Sequence, residues 1–277
     1  MKKGKISFYY VARYAVLIIL FCVTIIPFLV LPVVSLKTKK DFLVNPLTLP
    51  ATLNFMNYVE VFKRSNIMGA LTNSLILLIG SVSLEIVLGA LTAYALTKMK
   101  FKHASTFSAV FLAPMIFPVQ SISVPMYLIF KRLNLLNSYF GLILIESAIS
   151  MPMTIFMMTS FMKTIPIQIS ESATIDGAGH STILFKLIVP LLKPVISTIA
   201  VVCGVSVWNA FYIPMIMLTK QSMRTLPLTI YDFMGMYESD WTLLCACIVL
   251  VILPIIIMYC FLQKNIINGV TAGAVKG

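Results

Sequence analysis

The chain has 277 residues, 60% of them hydrophobic and only 11% charged, with a mean hydropathy of +0.99. Soluble domains run nearer half apolar and a quarter charged, so a water-soluble core could not hide this much apolar surface, and lipid is the expected solvent. The formal net charge of +12 does not point to nucleic acid, because the lysines and arginines fall between apolar runs and no basic stripe with interleaved aromatics occurs.

Lys2, Lys3, Lys5 and Arg13 precede an apolar run over residues 14–34, long enough to cross a bilayer. It exceeds a signal-peptide core and lacks a small-residue cleavage site, so it reads as a retained first helix with a cytoplasmic N-terminus. Residues 35–66 form a polar connection carrying Lys37, Lys39, Lys40, Lys63 and Arg64. A second span is expected over 67–96, followed by Lys98, Lys100 and Lys102 on the cytoplasmic side. Gly89 and Ala93 make a small-x3-small pair that permits close helix contact. Glu85 lies mid-span, where a carboxylate is expensive; it reads either as a pathway residue or as a protonated or hydrogen-bonded contact between helices.

A third span over 104–130 is interrupted by Pro114, Pro118 and Pro125. Breaks at membrane depth are tolerated where they are buried in protein or line a cavity. The fourth span covers 140–162, with Pro152 midway and Glu146 near its outer end, where a solvated or capped role is expected. Residues 163–194 are too polar for lipid. Pro166 suits a first helical turn, 167–176 can be helical, and Gly177 supplies a left-handed stop. Ile183, Leu184, Leu187, Ile188 and Leu191 then share one helical face, and Pro190 and Pro194 close the segment. The shape predicted is two short helices bent at a glycine, a rigid knob for a partner. The fifth span is expected over 195–218 and the sixth over 241–262, ahead of a short tail with Lys264 and Lys276. Six spans place both termini on one side, with twelve Lys/Arg inside and nine outside, five of those nine in residues 35–66.

Cys22, Cys203, Cys245, Cys247 and Cys260 all fall in apolar runs and read as small buried apolar residues rather than as a disulfide framework or metal site. There is no phosphate loop, no H-E-x-x-H and no G-x-S-x-G. His103 and His180 stand alone. The chain is therefore expected neither to hydrolyse ATP itself nor to act as an enzyme.

Glu171-Ser172-Ala173, Gly177 and Leu187-Ile188-Val189-Pro190 resemble the EAA loop of ABC importer permeases, E-A-A-x3-G-x9-I-x-L-P, with serine for the first alanine and leucine for isoleucine. Asp176-Gly177-Ala178 makes the match closer to the sugar branch, the maltose-type permeases. Similar permeases also carry counterparts of Asn73-Ser74, of Pro125-Met126-Tyr127-Leu128 with Asn137, of Trp208-Asn209-Ala210-Phe211 with Pro214, of Thr225-Leu226-Pro227, and of the terminus Gly269-Val270-Thr271-Ala272-Gly273-Ala274-Val275-Lys276-Gly277.

The resemblance implies an all-α membrane protein with six transmembrane helices, a type I importer permease fold used as one domain over 1–277, in the bacterial cytoplasmic membrane. It implies that Glu171, Ser172, Ala173, Asp176, Gly177 and Ala178 couple to a cytoplasmic ATPase, with the two alanines allowing close docking. It also implies a short amphipathic helix near residues 54–62. Trp208 could stack on a sugar and Asn209 hydrogen-bond to hydroxyls, or both could be packing residues; Tyr212, Asn73 and Glu85 are further pathway candidates. The partners implied are a second homologous permease, two ATPase copies carrying ATP and magnesium, an external sugar-binding protein and membrane lipid, with no nucleic acid. The rival class is an ion-coupled secondary transporter, but neither an internal repeat nor several intramembrane charges are evident.

Overall fold

The structure, a computed structural model, describes residues 8–99, 102–234 and 240–274; among these all regular structure is helical. The chain divides into two compact units, Met1–Ile67 with Thr229–Leu253, and Met68–Leu228 with Pro254–Gly277.

In the first unit, α1 (Phe8–Ser35) is apolar from Tyr14 onward apart from Thr24, and is mostly exposed until Val34 and Ser35, which are buried. Thr38 caps α2 (Lys39–Val44) by accepting from the Asp41 amide at 3.2 Å. The helix expected near 54–62 is α3 (Met56–Arg64). Asn57 ties it back to α1, donating to the carbonyls of Ser35 at 2.7 Å and Lys37 at 2.8 Å, and the hydroxyls of Tyr58 and Ser35 meet at 2.7 Å. Lys37 is fully buried, its ammonium donating to the Asn45 carbonyl and to Thr48 Oγ1. Ser65 donates to Asp232, and Asp240 accepts from the amides of Thr242 and Leu243 at the start of the last helix.

In the second unit, α4 (Ile67–Lys98, of which Ile67 belongs to the first unit) is one long helix. α5 (Ala104–Leu112) runs into a 3-10 turn with Pro114; Phe117 and Pro118 are extended; a second 3-10 turn leads into α6 (Ser123–Arg132). The two halves are bent by 95°. Proline disfavours helix at the residue before it, so Pro118 dictates the extended Phe117. Pro125 makes no break, because it falls in the first turn of α6, where no backbone bond is lost. Asn134, in the left-handed region at φ 56°, ends α6; the Leu135 amide reaches the Phe130 carbonyl at 2.9 Å.

Ser138 then caps α7 (Tyr139–Met162), which carries Pro152 inside. α8 (Gln168–Ile175), α9 (His180–Thr182), a π-helical stretch Ile183–Ile188 and α10 (Val189–Leu191) form the polar segment. α11 (Lys193–Trp208) follows after a 75° bend. Pro194 therefore does not close the preceding segment; it sits in the first turn of α11. The span expected over 195–218 is also not one helix: it stops at Trp208 and resumes as α12 (Tyr212–Met217). α13 (Trp241–Ala274) contributes to both units and continues as helix beyond the expected end at 262. Lys264 thus stands on helix, while residues 275–277, with Lys276, lie outside the described residues.

Among the described residues, four helices are long and apolar enough to cross a membrane, Ala12–Ser35, Ile67–Lys98, Tyr139–Met162 and Trp241–Cys260, and the two bent pairs bring the total to as many as six. Cys203, Cys245 and Cys247 are buried as expected, but Cys22 and Cys260 are exposed.

The close contact expected at Gly89 is present. A Cβ there would stand 2.5 Å from Thr154 Cγ2, and Ala93, one turn on, is fully buried. Gly204 is looser, its added Cβ meeting Leu78 Cδ1 at 3.4 Å. Gly89→Val should lower the thermal unfolding midpoint in detergent, reflecting about 1–3 kcal/mol of overpacking, whereas Gly204→Ala should leave it close to the parent.

Candidate functional site

The chain enters α8 through Pro166 and leaves it through a glycine turn. The Gly177 amide donates to the Thr174 carbonyl at 3.0 Å and the Ala178 amide to the Ala173 carbonyl at 2.9 Å, a paired closure that satisfies the last carbonyls of the helix. Gly177 adopts φ +82°, and a Cβ there would meet nothing within 4 Å. Glycine is needed here for its backbone conformation, not for space.

The faces of α8 divide sharply. Glu171, Ser172, Ile175 and Asp176 point outward, Ile175 being 86% exposed. Ala173 is 8% exposed and packs into the main core of the unit with Ala178 half-buried beside it. The two alanines expected to face a partner therefore face the chain's own core. That core joins Ala173 to Ala93 and Tyr94 of α4, Met158 and Met162 of α7, and Ile199 of α11.

Beyond the turn, Ile183, Leu184, Ile188 and Leu192 are buried, but Leu187 and Leu191 are 37% and 44% exposed. The single face expected from α-helical spacing is broken because the π stretch brings residues five apart into line, Ile183 over Ile188.

Two contacts that the sequence reading missed bind this segment to the end of α4. Tyr94 Oη lies 3.2 Å from His180 Nδ1, the rings edge-on with centroids 6.1 Å apart, and Lys98 Nζ donates to the Ile165 carbonyl. Around them lies a cavity of about 670 Å³ reached by Ser170, Glu171 and Thr174. No single-residue signal marks these pairs, since their members are 86 and 67 positions apart.

The pathway candidates are not brought together. Asn73 is buried with its polar atoms engaged: Nδ2 donates to the carbonyls of Ser222 and Arg224, both at 2.9 Å, and Oδ1 accepts from Tyr139 at 2.7 Å. Ser74 accepts from the Leu226 amide at 2.8 Å. These two residues thus pin the loop containing Thr225-Leu226-Pro227. Asn137 does the same for its start, accepting from the amides of Thr219 at 2.8 Å and Lys220 at 2.9 Å.

Glu85 is fully buried beside Thr154 and Cys203, with neither carboxylate oxygen in hydrogen-bond geometry. Glu146, expected near an interface, is instead 5% exposed, with Oε1 unpartnered. Trp208 is 3% exposed and its Nε1 also lacks a partner. Asn209 is exposed at the end of α11, and Tyr212 is half-buried, donating to Ser123 Oγ at 3.0 Å. The bend of the α5–α6 pair lines a cleft of about 440 Å³ with Pro114, Phe117, Met126 and Ile145, an apolar surface without the hydroxyl partners a sugar needs.

Residues 85–270 match the family of binding-protein-dependent transport system inner membrane components. The chain is 32% identical over 259 residues to a probable starch degradation products transport system permease protein of Thermoanaerobacterium thermosulfurigenes, covering 94% of each. It is 33% identical over 257 residues to a melibiose/raffinose/stachyose import permease protein of Bacillus subtilis, covering 92% of this chain and 93% of that one. A crystal structure of a bacterial ABC transporter involved in the import of the acidic polysaccharide alginate contains a chain that superposes with a TM-score of 0.83 at 22% identity, over 95% of this chain and 99% of that one. That likeness supports the fold.

The turn after α8 can be tested without any assumption about function. Gly177→Val places a β-branched residue at positive φ and should expose residues 171–182 to limited proteolysis, at a cost of about 1–3 kcal/mol. Gly179→Ala, at an ordinary φ of −73° with open space around it, should leave the proteolysis pattern unchanged.

Proposed function

The chain belongs to the family of binding-protein-dependent transport system inner membrane components, and from that premise we propose that it is the transmembrane permease subunit of an ATP-driven importer for a carbohydrate of oligosaccharide size. It is the permease and not the motor: ATP hydrolysis belongs to separate ATPase subunits. A substrate-binding protein delivers the solute. The relatives named for starch degradation products and for melibiose, raffinose and stachyose support the substrate class.

In this reading the whole chain acts as one permease domain with six spans, two of them broken, and both termini in the cytoplasm. It pairs with a second homologous permease and with two copies of the ATPase, which hold the ATP and magnesium. The observation that carries the reading is the division of α8. Its outer face offers Glu171, Ser172, Ile175 and Asp176 to a partner, while its inner face enters, through Ala173, the core that also holds residues of α4, α7 and α11. A push on the outer face therefore reaches a core shared by three membrane helices.

The cycle follows. ATP binding draws the ATPases together and carries α8 with them; the spans swing from inward- to outward-facing; solute enters; hydrolysis returns the assembly. Trp208 is packed away in the present arrangement, so Asn209 and Tyr212 are the pathway candidates with access, and Asn73 belongs to the scaffold. An ion-coupled carrier gains no support from the relatives, which are named as transport system or import permeases.

The test is a cross-link. A cysteine at the exposed Ile175 should be captured by a co-expressed ATPase subunit of the same importer, and the yield should change with nucleotide. A cysteine at buried Ala173 should not be captured. In the same system, Gly177→Val should reduce sugar uptake more than it reduces membrane insertion. Absence of any ATPase capture at Ile175 would remove the coupling assignment.

A further inference from the structure

The connection between α1 and α4 carries an unusual amount of bare apolar surface. Leu43, Val44, Leu47, Leu49, Phe55 and Met56 are between 61% and 81% exposed. Scattered exposed leucines are ordinary, but a concentration of them in residues 43–56 is not.

Hydrogen bonds fix where this surface lies. Asn57 holds α3 against the carbonyls of Ser35 and Lys37, Tyr58 meets Ser35, and the Asn54 amide donates to the Leu36 carbonyl at 2.8 Å. These carbonyls are the C-terminal end of α1. Its candidate span, Ala12–Ser35, has Arg13 near one end and Ser35 at the other, and the apolar residues 14–34 between them are about 32 Å long, close to the thickness of about 30 Å of hydrocarbon. Ser35 therefore stands at headgroup level, and α3 with it. At the other end of the connection the chain re-enters an apolar span at Ile67. Both ends of residues 36–66 are thus at one membrane surface, and the segment is clamped there.

The charge fits as well. Lys39, Lys40, Lys63 and Arg64 stand exposed on the same connection. Arg64 is paired with Glu60 at 2.8 Å, and the fifth cation, Lys37, is buried inside the segment. A connection that exposes both apolar side chains and lysines at headgroup depth matches the acyl boundary and the lipid phosphates beside it.

We propose that residues 36–66 form a platform that lies in the bilayer interface, with the leucines of residues 43–49 immersed and the Lys40 and Lys63 ammonium groups on lipid phosphates. The proposal rests on the chain spanning the membrane, and needs neither transport nor ATP for its readout. It also gives Lys40 and Lys63 a role on a connection where the positive-inside rule expects few cations.

The full-length chain, with Leu47→Trp or Leu49→Trp, would be reconstituted in vesicles containing phosphatidylglycerol. Its emission would be compared with that of the parent, which has only Trp208 and Trp241. The added emission should be lost with lipids brominated near the glycerol end of the acyl chain and should be untouched by aqueous iodide. In the Lys40→Gln/Lys63→Gln background the lipid quenching should fall. Quenching by iodide with none by brominated lipid would overturn the platform. So would shielding that arises only on addition of the soluble binding protein, which would make this a protein-docking face. Lipid quenching that is indifferent to the two lysines would overturn their phosphate role.

Discussion

A chain bathed in lipid has no water with which to satisfy its backbone, so wherever one of its helices stops the missing partners must come from the protein itself. This constraint explains most of the polar residues in an otherwise apolar sequence. Asn73, Ser74 and Asn137 are spent on carbonyls and amides of the loop between α12 and α13. Asn134 and Gly177 end α6 and α8 by entering the left-handed region and closing the last turn with backbone bonds. The breaks are thereby fixed in place. A bent span held this way moves as a shaped body, and that is what an alternating-access permease requires of it.

The same economy governs the segment from α8 to α10. Ala173, Ile183, Leu184, Ile188 and Leu192 place it in a core shared with residues from three membrane helices, and Tyr94–His180 and Lys98–Ile165 latch it to the end of α4. Small residues on the inner face allow that approach. The outer face remains polar except for Ile175.

Much of the architecture could be read from the sequence, because hydropathy marks spans and glycine and proline mark their ends. The helix before Gly177, its left-handed stop and the small pair Gly89 and Ala93 are local signals and lie where expected, and α3 lies where the family resemblance implied a short helix. What was not legible depends on partners far along the chain. The direction in which Ala173 faces, the burial of Glu146 and the engagement of Asn73 are decided by residues tens of positions away. The π winding of Ile183–Ile188 shifted the apolar face by one residue, a change that α-helical periodicity cannot register. The break at Trp208 was missed because an apolar run hides a helix end as readily as a helix.

The two small residues of the Glu171-Ser172-Ala173 motif are small for different reasons. Ser172 faces outward with its hydroxyl turned back to the Ile169 carbonyl at 3.3 Å, whereas Ala173 has protein on the other side of its methyl group. Drift at the first position is cheap and drift at the second is not. In the proposed assembly, an importer descended from this one could therefore exchange its motor for another by altering outward side chains of α8, and keep its membrane bundle untouched.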